Sequence, residues 1–240
     1  MKQENEVKVL IIIPAYNEAG SIEKVTGNLI ENYPQYDYVI VNDGSTDDTR
    51  KICHRNDYNY IDLPVNLGLA GAMRAGMRYA NYYDYDYAIQ LDGDGQHDPL
   101  YIKDMLARME ETSCDIVIGS RFVSEKKPKS LRMLGSNIIG ALIKLTTRHR
   151  INDVTSGMRL FNKKMIKQFG YDMHYSPEPD TLAFLLNSGV EIEEVQVRMY
   201  ERVAGKSYLN FWSSIGYMVR MIFSIVLFQW VRIRRNKKCR

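Results

Sequence analysis

Val7-Lys-Val-Leu-Ile-Ile-Ile13-Pro14-Ala-Tyr16-Asn-Glu18 decides the fold: an aliphatic run that stops abruptly in a polar loop. Residues 8–13 read as a strand and residues 38–41 as a second one. Between them a helical pattern covers 21–32, with Ser21 as its expected cap and Glu23 and Lys24 in its first turn. This is a βαβ opening. The alternation continues with a helix over 46–55, a short strand over 58–63, a helix over 68–83, a strand over 87–91, a helix over 99–112 and a strand over 115–119. A mostly parallel, doubly wound α/β sheet is the expected architecture. Beyond Arg121 a polar stretch, Ser124-Glu-Lys-Lys-Pro-Lys-Ser130, precedes an amphipathic segment over 131–147 that is expected to lie outside the sheet. A strand over 190–199 returns the chain before a basic C-terminal region. There is no internal repeat and no low-complexity tract.

Composition sets limits on function. The 240 residues are 45% hydrophobic and 25% charged, ordinary for a globular chain with a sizeable core. The polar N-terminus runs straight into residues 7–13, too short for a signal h-region, so the body of the chain is expected in the cytosol. Cys53, Cys114 and Cys239 are odd in number, far apart and form no Cys-x-x-Cys pair, so neither a disulfide framework nor a zinc site is indicated, and buried or idle thiols are expected. The net charge is +3, yet residues 202–240 alone carry +9 and no acid. Such a tail could meet nucleic acid, anionic lipid or nothing at all, and composition does not choose among these.

Asp92-Gly-Asp94-Gly-Gln96-His97-Asp98-Pro99 follows the strand over 87–91, so two carboxylates lie one residue apart at a strand end. A hard divalent cation takes oxygen ligands, and the C-terminal edge of a parallel sheet presents them. An EF-hand loop from Asp92 would need Gly sixth and Glu twelfth, where this chain has His97 and Lys103. A solvated Asp/Gly turn is the simpler alternative. Asn66-Leu-Gly68-Leu-Ala-Gly71 has neither Gly-x-Gly-x-x-Gly nor a P-loop, which disfavours a dinucleotide dehydrogenase or an NTPase. Tyr16 can instead stack on a base, and Glu18 and Asp43 can accept hydrogen bonds from base or ribose groups. Three acidic loops at three strand ends make a stronger signal than any one of them.

Six motifs in register carry a resemblance. Pro14-Ala-Tyr-Asn-Glu18, Asn42-Asp43-Gly44-Ser45-Thr46-Asp47, Asn66-Leu-Gly68, Asp92-Gly-Asp94-Gly-Gln96-His97, Gly119-Ser-Arg121 and Asp153-Val-Thr-Ser-Gly157-Met-Arg159 together resemble the family 2 inverting glycosyltransferases of GT-A fold. The dolichol-phosphate mannose synthase and bacterial polyprenyl-phosphate branch is the most similar, over residues 7–208. The resemblance implies a nucleotide-sugar donor, a UDP-sugar favoured over a GDP-sugar, and a polyprenyl phosphate acceptor. It implies that Asp92, Asp94 and Gln96 bind Mg²⁺ or Mn²⁺ with the donor diphosphate, and that Pro14, Tyr16, Glu18 and Asp43 form the nucleoside pocket. Arg121, Arg132 and Ser136 match the positions that receive the acceptor phosphate. Arg159 and Glu178-Pro-Asp180 are placed near the site by resemblance only. The branch usually closes with Arg-x-x-Gly-x-Ser-Lys, whereas here Arg202-Val-Ala-Gly205-Lys206-Ser207-Tyr208 moves the lysine, so Arg202 and Lys206 are expected donor contacts of lower standing.

A sugar leaving as nucleoside diphosphate builds negative charge that a cation stabilises. A phosphate monoester needs no base, because its second pKa is near 6; Asp153 is the reserve base for a hydroxyl acceptor, or else a cap for the Thr155-Ser156-Gly157 turn.

Residues 215–231 number 17, short of the roughly 20 needed to span a bilayer, and include Arg220, which would cost roughly 2.5 to 3.5 kcal/mol at mid-bilayer. The expectation is a GT-A catalytic domain over 1–208 and, over 209–240, amphipathic interfacial helices with Trp212, Tyr217, Phe223, Phe228 and Trp230 at headgroup level, lying on the cytoplasmic face of the membrane. A buried core helix with a solvated tail is the alternative. A small membrane-protein partner or a homo-oligomer that groups these helices is also expected. Two other functions compete: a GT-A transferase acting on a glycan hydroxyl, and a non-catalytic module whose tail holds nucleic acid. No RNA or DNA motif accompanies the tail, and its aromatics interleave with aliphatics, so nucleic acid is not expected as a partner.

Overall fold

The computed structural model describes residues 7–128, 131–172, 178–200, 221 and 223–225. β1 (Val9–Ala15) sends Val9, Ile11 and Ile13 to one core and Leu10 and Ile12 to another, as the period-two geometry of a strand requires. All five are buried, which is why this run is unbroken rather than alternating.

α1 (Ile22–Asn32) leads to β2 (Asp37–Asn42), α2 (Thr49–Arg55) to β3 (Tyr60–Asp62), and α3 (Gly68–Tyr82) to β4 (Tyr87–Gln90). A 3₁₀ turn at Pro99–Tyr101 opens α4 (Ile102–Thr112), followed by β5 (Ile116–Ser120) and α5 (Leu131–Thr147). β6 (Arg159–Asn162), α6 (Lys163–Lys167), α7 (Pro179–Asn187) and β7 (Ile192–Gln196) complete the fold. The seven strands lie in the order β3-β2-β1-β4-β6-β5-β7. Every pairing is parallel except those of β6, which is antiparallel to β4 and β5. The mostly parallel α/β sheet expected from the sequence is present, and α5 lies outside it.

β6, α6 and α7 were not among the expected elements. Arg-Leu-Phe-Asn is too short to show a period, and its strand character comes from pairing with β4 and β5. The strand expected over 190–199 ends at Gln196; beyond it, Met199 bridges to His97.

Helices cover both faces. α3, α5, α6 and α7 bury their apolar stripes on one side, and α1, α2 and α4 on the other. Gly76 lets α3 lie close to β1, because a Cβ there would stand 2.4 Å from Cγ2 of Ile12. Cys53 and Cys114 are buried and free, and burial pushes the Cys53 thiol up to about 11, as suits an idle thiol. From the C-terminal region, Met221 and Ile225 are buried in the same core as α7, Phe223 is exposed, and the Ser224 hydroxyl donates to the Asp180 carboxylate at 2.6 Å. The remaining interfacial aromatics lie outside the described residues. Among the described residues, no helix is long and apolar enough to cross a membrane.

Candidate active site

The ends of β1 and β2 are laced together by side chains. Asn17 adopts φ 58°, a left-handed conformation that asparagine tolerates better than most residues. Its amide oxygen accepts from the Thr46 and Asp47 N–H groups at 2.8 and 3.3 Å, and its own N–H donates to the Ser45 hydroxyl at 3.0 Å. Glu18 N–H donates to Thr49 Oγ1 at 2.9 Å, and Ala19 N–H to Asp47 at 3.1 Å. Burial opposes the Asp47 charge, but bonds from Thr49 and Ala19 outweigh it and hold the carboxyl below its usual range. The expected Ser21 cap is corrected here: Ser21 occupies the N-cap position of α1 but makes no side-chain cap bond. Its hydroxyl donates to the Glu18 carboxylate at 2.7 Å and so fixes the orientation of that side chain. Asp43 is buried and accepts from Leu67 N–H at 2.8 Å, which ties β2 to the Asn66-Leu-Gly68 loop. Pro14, Tyr16, Glu18 and Asp43 therefore share one sheet edge, with Pro14, Tyr16 and Glu18 partly exposed.

The acidic loop at the end of β4 is held at both of its carboxylates. Gln90 Nε2 donates to Asp92 Oδ1 at 2.9 Å, and Asp92 N–H donates to His97 Nδ1 at 3.0 Å. That bond leaves the proton of a neutral imidazole on Nε2, 3.7 Å from Asp92 Oδ2. Asp94 is buried and accepts from Gln96 N–H at 3.0 Å. Gln96 Nε2 donates to the Tyr200 carbonyl at 3.2 Å while Tyr200 N–H donates to the Gln96 carbonyl at 3.0 Å, so the segment after β7 zips onto this loop. Gly93 lets the loop press on β1, since a Cβ there would lie 3.3 Å from the Pro14 carbonyl oxygen.

Among the described residues no three His, Cys, Asp or Glu side chains gather into a metal cage. Two carboxylates and the amide oxygen of Gln96 nevertheless fit Mg²⁺ or Mn²⁺ of the kind that completes its shell with water and substrate phosphate.

A second cluster adjoins this loop. Asp153 is fully buried and receives Arg121 through Nε at 2.7 Å, Nη2 at 2.9 Å and the backbone N–H at 3.2 Å. Thr155 Oγ1 adds a fourth bond at 3.1 Å. Burial raises the Asp153 pKa, but the Arg121 bonds and charge prevail, and the carboxyl stays below its ordinary range. A carboxylate so engaged is a weak base. Nη1 of Arg121 has no partner among the described residues. Glu194 on β7 accepts from the backbone N–H groups of Asn152 and Asp153 at 2.7 and 2.9 Å, and Ser156 donates to the Gly119 carbonyl, which fixes the 152–157 turn. Gly157 then meets the acidic loop: a Cβ on it would stand 3.1 Å from Asp92 Oδ2 and 3.3 Å from Gln90 Nε2. On α5, Ser136 is buried with an unpartnered hydroxyl among the described residues. Arg132 lies one helical turn before it.

Residues 10–170 match Glycosyl transferase family 2. The chain belongs to that family. Similar family 2 proteins include the undecaprenyl-phosphate mannosyltransferase of Micrococcus luteus, 28% identical over 85% of this chain and 88% of that protein. A dolichyl-phosphate beta-glucosyltransferase of Trichomonas vaginalis is 30% identical over 81% of this chain and 66% of its own length. Among solved structures, glucosyl-3-phosphoglycerate synthase of Mycobacterium tuberculosis in complex with Mn²⁺, UDP and phosphoglyceric acid shares the fold, with a TM-score of 0.68 at 16% identity over 93% of this chain and 78% of that one.

For this family 2 glycosyltransferase the structure brings Pro14, Tyr16, Glu18, Asp43, Asp92, Asp94 and Gln96 to one edge, and Arg121 and Asp153 to a second group joined to it through Gly157. Buried Arg159 opens β6 opposite Gln90 and donates to the Ser156 carbonyl at 3.1 Å. Arg202 and Lys206 lie outside the described residues. Sequence reasoning gave no role to Gln90, the His97 ring, Gly157 or Glu194. His97 and Gly157 stand inside quoted motifs, whereas nothing local marks Gln90 or Glu194.

Proposed function

We propose that this glycosyltransferase moves a sugar from a nucleotide-sugar donor, a UDP-sugar in preference to a GDP-sugar, to a polyprenyl phosphate, with inversion, at the cytoplasmic face of the membrane. The names of the polyprenyl- and dolichyl-phosphate relatives support this reading. One observation carries it: Asp153, the buried carboxylate of the group that meets the acidic loop at Gly157, is spent on Arg121 rather than presented as a base. That arrangement suits an acceptor that arrives already anionic and needs a cation to receive it.

In this reading Tyr16 stacks on the base, Glu18 and Asp43 take hydrogen bonds from the nucleoside, and Asp92, Asp94 and Gln96 would hold Mg²⁺ or Mn²⁺. The bound cation supplies charge stabilisation to the departing diphosphate. Arg121 Nη1, Arg132 and the Ser136 hydroxyl orient the acceptor phosphate. Its oxygen bonds to the anomeric carbon from the face opposite the diphosphate as the sugar–phosphate bond breaks, and no proton has to be removed. Asp153 acts as a positioning residue for Arg121. Residues 209–240 supply membrane association.

The test is to incubate the full chain with several nucleotide sugars, Mn²⁺ and a short polyprenyl phosphate, in parallel with free glycans. An acid-labile glycolipid, lost in Arg121→Gln, supports the proposal. Transfer to a glycan hydroxyl alone would overturn it.

A further inference from the structure

A cavity of about 500 Å³ opens between residues 122–127, one side of α5 and residues 150–152. Lys126, Lys127, Lys144 and Arg150 line it against a single acid, Glu125. None of the four forms a salt bridge with another described residue. Lys127 is the most enclosed, with its ammonium 5.5 Å from the Phe122 ring, and burial pulls its pKa down despite nearby Asp153 and Glu194. Cations in excess of the single lining acid attract an anion into a concave site. One phosphate monoester carries at most about two negative charges, and Arg121, Arg132 and Ser136 already suffice for it.

The neighbouring helix surface narrows the choice of anion. On α5, Asn137, Gly140, Ala141 and Lys144 face the cavity. Leu134, Ile138 and Leu145, exposed by 56%, 45% and 79%, form an adjacent stripe at helical spacing. A free phosphate gains nothing from that stripe, whereas an amphiphile uses both surfaces.

We propose that this groove binds the phosphate headgroup of an anionic phospholipid, with its acyl chains along Leu134, Ile138 and Leu145. It is a docking site separate from the acceptor phosphate position. The inference rests on the membrane-facing reading of the active site, and it concerns docking rather than transfer.

The test compares binding of the full chain to phosphatidylcholine vesicles with and without phosphatidylglycerol, for the wild type and Lys126→Gln/Lys144→Gln/Arg150→Gln. Each lost charge is worth about fivefold at most, so phosphatidylglycerol-dependent affinity should fall roughly 10- to 100-fold after screening. The three positions are exposed, thermal melts should coincide, and the single variants should give graded losses. Turnover on a short, vesicle-free polyprenyl phosphate should be unchanged. Vesicle affinity that survives the triple substitution overturns the proposal. So does lost turnover with vesicle binding intact, which would assign the groove to the acceptor. Glycerol 3-phosphate that binds the wild type in solution, and not the variant, overturns the lipid source. If the wild type makes no glycolipid yet these cations still govern vesicle binding, the transfer reading fails and the docking site stands.

Discussion

Arg121 grips Asp153 with a two-pronged fork, at 2.7 and 2.9 Å, while the carboxylate is fully buried and the guanidinium is not. The pair turns an otherwise costly buried charge into a rigid mount for a cation. Asp153→Asn should destabilise the fold by about 3 kcal/mol, at the low end for breaking a buried pair because Arg121 is partly solvated. Because the folded pKa of Asp153 is depressed, its contribution is present above the ordinary carboxylate range and fades as pH falls through the folded value. The difference in thermal melts between wild type and variant should therefore persist from pH 7 to about 5 and shrink only below about 4.

The same pair separates two mechanisms kinetically. If Asp153 only positions Arg121, Asp153→Asn raises the acceptor KM more than it lowers kcat, and the pH profile of kcat keeps its shape. If it acts as a base, kcat collapses by about a hundredfold or more and the acid limb of the profile disappears. Arg121→Lys, which keeps the charge and loses the fork, should cost about tenfold in kcat/KM for the acceptor.

Gly157→Ala reaches, from the other side, the acidic loop proposed to hold the metal. The added methyl would lie 3.1 Å from Asp92 Oδ2 and 3.3 Å from the His97 ring, so one of these groups must shift by a few tenths of an ångström. Mn²⁺ affinity, read by paramagnetic broadening or calorimetry in the presence of nucleotide, should weaken about tenfold, as when a ligand's supporting contacts are disturbed. Melting temperature should change little.

Asp94→Asn removes a charge from the loop while its bond from Gln96 N–H can persist. Turnover should fall by at least about a hundredfold with the fold intact by circular dichroism. EDTA should abolish wild-type activity and added Mg²⁺ or Mn²⁺ should restore it; retained activity in the variant would remove Asp94 from the metal site.

Gly44 holds φ +65°, and a Cβ there would stand 2.6 Å from the Asn66 N atom. Gly44→Ala should destabilise the fold by about 1 to 3 kcal/mol. It should also raise the donor KM, because the Asp43 to Leu67 bond depends on that close approach.

What could be read from the chain was the part written locally. Residues 8–13 announce β1 through unbroken branched aliphatics, and Asp92-Gly-Asp94 announces its loop through residue types that few other roles require. β6 was illegible because four residues carry no period and their pairing partners lie 41 to 75 positions away, as Ile118↔Arg159 and Tyr87↔Asn162 illustrate. Ser21 shows the opposite error. A serine before a helix suggests a cap that accepts a backbone N–H, but the Ser21 hydroxyl is instead turned to donate to the Glu18 carboxylate three residues earlier. Asp153 stood out within its motif as a reserve base or a turn cap, yet its engagement with Arg121 spans 32 residues and required the fold.

Among the described residues β6 is the one reversed strand, and the reversal decides which of its ends meets the acidic loop. Its first residue, Arg159, sits opposite Gln90 at the outlet of β4, so the connection that feeds it arrives at the working edge instead of leaving from it. That connection begins at Asp153, the anchor of Arg121, and passes Gly157 against Asp92 before entering the sheet. The Arg121 mount and the packing against Asp92 are thus written on seven consecutive residues, and under the proposed function a swap of acceptor specificity between relatives has to carry this stretch across as one block.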